Sequence, residues 1–241
     1  MKFLGIIPAR FASTRFPGKP LVDIGGKTMI QRVYEQALKS DLDKVVVATD
    51  DERIATEIKR FGGDFILTSS NHQSGTDRCA EVAQKLPGFD VVINIQGDEP
   101  FINPAQISLV SSCFKDENVE LATLIKEINE DSELFSTNIP KVVINSNQQA
   151  IYFSRHPIPF IRGAEKENWL KTHQFYKHIG IYGYKTTALL EITKLSPSSL
   201  ELAESLEQLR WLENGYKIKT KITTIETIAI DTPEDLQKII L

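Results

Sequence analysis

Apolar and polar positions divide the chain into a regular first half and a looser second half. Residues 3–7 form a short apolar run closed by Pro8, which reads as a buried strand. Met29, Ile30, Val33, Ala37 and Leu38 then recur at helical spacing, with Thr28 placed to cap the helix. Residues 44–48 are a β-branched run ending in Thr49-Asp50-Asp51, and a second helix over 52–61 is stopped by Gly62-Gly63. A short strand over 65–67, a helix over 75–86 and an apolar strand over 91–95 continue the alternation. Strands continuous in Val and Ile, separated by amphipathic helices, predict a parallel sheet covered on both faces.

Beyond Pro104 the spacing predicts a helix over 105–114, a strand over 121–125, and strand-like runs over 141–145 and 150–154 that suggest an antiparallel extension. Residues 155–172, rich in Pro, Gly and charge, read as a long loop. A strand over 178–184 and a helix over 199–213, ended by Asn214-Gly215, follow. Leu202, Leu206, Leu209 and Leu212 supply that helix's apolar stripe. Strands over 216–221 and 227–230 precede a last helix that Asp231 or Thr232 can cap, with Pro233 suited to its first turn.

Composition leaves this picture intact. The 241 residues are 41% hydrophobic and 25% charged, enough for a substantial core and for one domain carrying a lobe. A formal net charge of −4 argues against nucleic acid as a partner. Cys79 and Cys113 are far apart and form no C-x-x-C, so they read as buried thiols of a reducing, cytoplasmic setting rather than a disulfide or zinc pair. The opening apolar run is too short for a signal-peptide core, and no run approaches the eighteen or so residues of a membrane helix, so no membrane insertion is expected.

The candidate chemistry gathers first around Ile6-Ile-Pro-Ala-Arg-Phe-Ala-Ser-Thr-Arg-Phe-Pro-Gly-Lys19. Arg10, Arg15 and Lys19 stand among Ala9, Ala12, Ser13 and Gly18, where small side chains let a ligand approach the backbone. Cations and exposed amides at the carboxyl end of a strand suit phosphate, although a solvated basic loop has the same composition. Gly25-Gly26-Lys27-Thr28 is no P-loop, because position 21 is Leu21, and no G-x-G-x-x-G occurs in the opening loop. Asp98, in Gln-Gly-Asp at the end of an apolar strand, fits either a hard-cation ligand or a turn cap. Asp231, opening Asp-Thr-Pro-Glu, is equally ambiguous.

Several joints resemble the sugar-acid cytidylyltransferases, in particular the 3-deoxy-manno-octulosonate (Kdo) cytidylyltransferase, or CMP-Kdo synthetase, family. Besides the opening loop these are Ser74-Gly-Thr-Asp-Arg78, Asn94-Ile-Gln-Gly-Asp-Glu-Pro100, Tyr152-Phe-Ser-Arg155, His178 to Tyr184, Leu206-Glu-Gln-Leu-Arg210 and Ile230-Asp-Thr-Pro-Glu-Asp-Leu236. In this order they span nearly the whole chain. The resemblance implies an α/β fold, a Rossmann-like nucleotidyltransferase three-layer sandwich with a mostly parallel sheet and a smaller antiparallel extension. It also implies one domain over 1–241, with a sugar-binding and dimerisation extension at about 141–184, hence a homodimer.

By the same resemblance the activity is transfer of CMP from CTP to the anomeric hydroxyl of Kdo, with release of pyrophosphate, in lipopolysaccharide biosynthesis. Ala9, Arg10, Ser13, Arg15, Lys19, Ser74 and Gly75 would bind the nucleotide. Asp98 and Asp231 would hold Mg²⁺ and, with Arg15 and Lys19, act in catalysis. Arg78, Gln96, Arg155, His178, Tyr182, Glu207 and Gln208 would meet the sugar. Without the family, Arg78 fits a solvated helix face, His178 a satisfied core histidine, and Glu207 an ion pair with Arg210. Another acidic sugar, 8-amino-Kdo or sialic acid, would use the same fold. A non-catalytic sugar-nucleotide sensor is opposed by the joint presence of Arg15, Lys19, Asp98 and Asp231.

Overall fold

A computed structural model describes residues 1–12, 16–230 and 232–237. Its first half follows the alternation. Strand β1 (Phe3–Ala9) leads to α1 (Met29–Ala37), β2 (Lys44–Thr49), α2 (Glu52–Arg60), β3 (Phe65–Leu67), α3 (Gly75–Lys85) and β4 (Val91–Asn94). Caps start these helices where the sequence places them: the Thr28 hydroxyl accepts from the Gln31 amide, Asp51 from Arg53, and Ser74 and Asp77 form a reciprocal capping box. Strand β1 lies between β2 and β4, parallel to both, and β3 adds in parallel at the edge.

The second half runs α4 (Pro104–Ser111), β5 (Leu121–Glu127), α5 (Asp131–Leu134), β6 (Lys141–Ile144), β7 (Ala150–Ser154), α6 (Trp169–Thr172), β8 (Tyr176–Lys185), α7 (Thr186–Ile192), α8 (Ser199–Glu204), α9 (Gln208–Glu213), β9 (Ile218–Ile222) and α10 (Pro233–Gln237). The sheet order is β3-β2-β1-β4-β8-β5-β9, with β6 and β7 carried off β8. Strand β8 is antiparallel to both β4 and β5, while β9 returns parallel to β5. The sandwich is therefore mixed at its centre, and the antiparallel extension grows from the strand that completes it.

Alternate residues of one strand feed opposite cores. Leu4 and Ile6 pack with Val46, Val92, Val82 and Trp211, whereas Ile7 packs with Val45, Val47, Ile30 and Ile107. A smaller cluster of Ile24, Met29 and Ile230, with Phe16, Phe101 and Leu236 against it, ties the opening loop, the loop after β4 and the last segment together.

Three expectations change. The helix over 199–213 is two helices, because Ser205 adopts left-handed geometry (φ 51°, ψ 50°) and turns the chain. The break takes Leu202 out of the stripe and leaves it 69% exposed, while Leu206 and Leu209 are buried. Residues 227–230 form no strand: the segment makes no ladder with any described strand and is held instead by single contacts. The loop over 155–172 contains α6, anchored by the buried Trp169, which stacks on Phe175.

Candidate active site

The carboxyl ends of β1 and β4 open into a cleft of about 460 Å³ lined by Pro8, Ala9, Arg10, Ala12, Lys19, Gly75, Gln96 and Asp98 among others. Two backbones meet in its wall. A Cβ on Gly97 would stand 2.7 Å from the Pro8 carbonyl oxygen, so only glycine fits. Of the predicted residues, Ala9, Arg10, Lys19, Gly75, Gln96 and Asp98 meet here, and Ser74 caps α3 at its rim. Ser13, Arg15 and Asp231 lie outside the described residues.

Charge is organised around Asp98. Lys19 Nζ donates to Asp98 Oδ2 at 2.8 Å, with the side chains 13% and 27% exposed. The Ile230 amide donates to the Asp98 carbonyl at 2.9 Å, so the last segment of the chain is tied to this aspartate by backbone. The cap at the next helix is supplied by Thr232, whose hydroxyl accepts from the Asp235 amide while its own amide donates to Asp235 Oδ2 at 3.1 Å. Glu99 is almost fully buried, and burial, with the Asp98 charge beside it, pushes its carboxyl up to about 7. Arg10 donates to the His72 carbonyl, and the His72 ring meets Glu81.

Gln96 links this cleft to a second, more deeply buried group of residues. Its Nε2 donates to the Gly180 carbonyl at 2.8 Å, at the point where β8 carries residues 180–181 as an insertion against β5. The irregularity lets Thr123 Oγ1 donate to the Ile181 carbonyl at 2.7 Å and meet His178 Nε2 at 3.0 Å. A hydroxyl has one proton, so His178 Nε2 is the donor of that pair and Nδ1 remains an acceptor. Desolvation lowers His178 to about 4, keeping it neutral near pH 7. Its ring lies 5.1 Å from that of Tyr182.

The break at Ser205 sets Glu207 and Gln208 at the start of α9. Thr76 Oγ1 donates to Glu207 Oε2 at 2.7 Å, joining the Ser74-Gly75-Thr76 turn to this second group. Burial raises the Glu207 carboxyl, opposed by hydroxyls of Thr76 and Ser74. Glu207 does not pair with Arg210, whose Nε instead donates to Glu201 at 2.7 Å. The Tyr182 hydroxyl and Gln208 Nε2 are buried without a hydrogen-bond partner among the described residues. They share this with Asn94 Oδ1, Gln106 Oε1, the Tyr184 hydroxyl and Arg78 Nε, and such groups are costly to leave without water or another partner.

Two predicted sugar contacts are placed elsewhere. Arg78 is neither on a solvated face nor turned toward the cleft: it is fully buried, bonding Thr68 and, at 3.2 Å, Asp50. A guanidinium this deep needs a counter-charge, and Asp50 supplies it. Arg155 directs its guanidinium at backbone, donating to the carbonyls of Glu204 (2.6 Å), Thr137 and Ser205 (both 3.1 Å), and so braces the break before α9. Sequence reasoning missed Thr76, Glu99 and Ile230. Thr76 was signalled by its place beside Ser74-Gly75, whereas the Ile230 contact is made by backbone and leaves no trace in residue type.

Comparison with known proteins identifies the family. A family model described as cytidylyltransferase matches residues 4–222. A protein of Parabacteroides distasonis named 3-deoxy-manno-octulosonate cytidylyltransferase is 62% identical over 99% of this chain and 96% of its own length. A protein of the same name from Bacteroides thetaiotaomicron is also 62% identical, over 98% and 96%. The solved structure of a CMP:2-keto-3-deoxy-manno-octonic acid synthetase complexed with CTP superposes with a TM-score of 0.92 at 42% identity, covering 99% of this chain and 96% of that one. With matches that run the length of the chain at this identity, the chain belongs to the 3-deoxy-manno-octulosonate cytidylyltransferase family of cytidylyltransferases.

Proposed function

We propose that the chain activates Kdo: the anomeric hydroxyl attacks the α-phosphorus of CTP, the bond to the β-phosphate oxygen breaks, and CMP-Kdo and pyrophosphate result. The observation that carries this reading is the meeting of Lys19, Asp98 and the backbone of Ile230 at the mouth of a cleft floored by Ala9 and Gly75. Transfer at phosphorus is governed by positioning and by neutralising charge in line with the leaving group. Lys19, Arg10 and Arg15 serve that need on the triphosphate. Ala9, Ser13, Ser74 and Gly75 hold the nucleotide. Gln96, His178, Tyr182, Glu207 and Gln208 hold the sugar, with neutral His178 offering Nδ1 as an acceptor to a hydroxyl. Arg78 and Arg155 enter as supports, on Asp50 and on the α8–α9 break.

A divalent cation, Mg²⁺ by the hardness of the donors, belongs at Asp98 with Asp231. What supports the reading is the Asp98 carboxylate at the cleft, a hard oxygen donor only partly buried, since Mg²⁺ typically takes one or two carboxylates with the rest of its shell from water and phosphate. Thr232 fills the capping role, which leaves Asp231 to the ligand reading. Bound there, the cation would screen phosphate charge and acidify the attacking hydroxyl.

Pyrophosphate release from CTP and Kdo, dependent on both, tests the assignment; CTP binding without release would return the chain to the sensor reading. No described helix is long and apolar enough to cross a membrane; the cytoplasm is the compartment proposed for the reaction. The extension at about 141–184 presents an apolar hollow between β6 and residues 158–159 and 173–176, with Phe160 exposed nearby, and supports a homodimer. A monomeric scattering mass at micromolar concentration would refute it.

A further inference from the structure

Between β9 and the last helix, residues 223–230 form neither a helix nor a ladder. Four points hold them, one of them a bond from the buried Gln106 Nε2 to the Ile225 carbonyl at 3.4 Å. The buried Thr223 donates its amide to the Ile125 carbonyl at 2.9 Å, Ile230 is buried and bonded to the Asp98 carbonyl, and between them stands Glu226. Glu226 Oε2 meets Lys126 Nζ and Oε1 meets Lys177 Nζ, each at 2.8 Å, and Lys177 also pairs with Glu133 of α5. Lys126 and Lys177 face each other across the β5–β8 pair, so the carboxylate bridges the two strands at one register position. Burial opposes the charge on Lys177, but Glu133 and Glu226 outweigh it and hold the amine above its usual range.

We infer that Glu226 is a positioning residue, a latch seated on Lys126 and Lys177 that holds residues 223–230 in place so that Ile230 keeps its bond to Asp98. Asp231, the next residue in the chain, would then be delivered to the metal site by a strap anchored in the antiparallel part of the sheet. Exposed pairs taken singly contribute little, but this carboxylate is shared by two lysines, and one of them is buried. Ile228 is 56% exposed, so little apolar packing holds the strap between Glu226 and Ile230. The inference about the metal rests on the function proposed above, whereas the latch itself does not.

The test uses the full chain with Glu226→Gln, measured two ways. In amide hydrogen exchange without substrates, the segment 225–230 should exchange about tenfold faster while β1, β2 and β4 are unchanged. In pyrophosphate release, the Mg²⁺ concentration for half-maximal rate should rise roughly three- to tenfold with the KM for CTP little altered. Lys126→Gln, which leaves the Lys177 pair, should fall between variant and wild type. Unchanged exchange in 225–230, or equal acceleration everywhere, would overturn the latch. Faster exchange with an unmoved Mg²⁺ requirement would overturn the positioning role. The exchange arm needs no turnover, so it separates failure of the latch from failure of the proposed reaction.

Discussion

Lys19 and Asp98, at the end proposed for the nucleotide, keep partial contact with solvent and bind each other, whereas Tyr182 and Gln208, at the end proposed for the sugar, are buried and leave polar atoms unpaired. The first arrangement trades one charge partner for another when a polyphosphate arrives, so it requires little prior order. The second holds polar atoms that need a partner, which a ligand with matching hydroxyls or carboxylate would supply in place of water. On the proposed reading, affinity for the nucleotide and discrimination among sugars would rest on different physics at the two ends. Gln96 and Thr76 are the two side chains whose bonds join one end to the other.

The largest expected effect falls on the charged end. Asp98→Asn should lower kcat/KM for CMP-sugar formation by about 10³-fold or more. Asp231→Asn should be similarly inactive with a melting temperature close to wild type, since Thr232 caps the helix. The double variant should be far less than multiplicatively worse if both act through one metal assembly. An active Asp231→Asn protein with ordinary Mg²⁺ dependence would dissolve the contrast at its charged end. Lys19→Ala and Arg15→Ala should each reduce turnover on the order of 10²-fold. Normal rates in both would make the opening loop a mere surface.

The buried end predicts a smaller and differently shaped response. Tyr182→Phe removes an unpartnered hydroxyl, so the empty protein should be as stable as wild type or gain up to about 1 kcal/mol in denaturant unfolding, while the KM for Kdo rises roughly tenfold and that for CTP stays put. Destabilisation with unchanged sugar KM would show the hydroxyl to be structural. The smallest effect is on pH. Folding depresses the His178 pKa from 6.5 to about 4, so below 6.5 the unfolded chain takes up a proton that the folded one refuses. The stability this group provides is complete above 6.5 and is lost as pH falls toward 4. His178→Gln should flatten the stability curve in that window; an unaltered acid slope would place the ring in solvent.

The charged end was also the more legible one. Its residues sit in runs whose local pattern, an apolar strand entering a small-residue loop, states the fold, and β1 to β4 follow that pattern closely; the chemistry came from the resemblance, because a solvated loop and two helix or turn caps would use the same residues. The buried end depends on long-range facts. Nothing local announces that β8 inserts antiparallel between β4 and β5, or that it carries two extra residues between His178 and Tyr182, whose rings lie 5.1 Å apart. The apolar spacing of 199–213 reads as one helix because Ser205 has an ordinary side chain; only its left-handed backbone turns Glu207 toward Thr76. Arg78 misleads for a related reason, since its position at a helix entry is visible in sequence but Asp50, its counter-charge, is twenty-eight residues away.

Attempts to retarget the enzyme to a bulkier nucleoside triphosphate will meet the contact between Gly97 and the Pro8 carbonyl. Where a wall is made by a side chain such as Arg10, Lys19 or Gln96, trimming it makes room; at Gly97 backbone meets backbone, and no substitution trims a backbone. Libraries built on the residues that line the cleft would therefore reshape its side-chain walls without widening it at Gly97. Variants widened there should instead arise from insertions or deletions in the loops leaving β1 and β4, with Gly97 itself untouched.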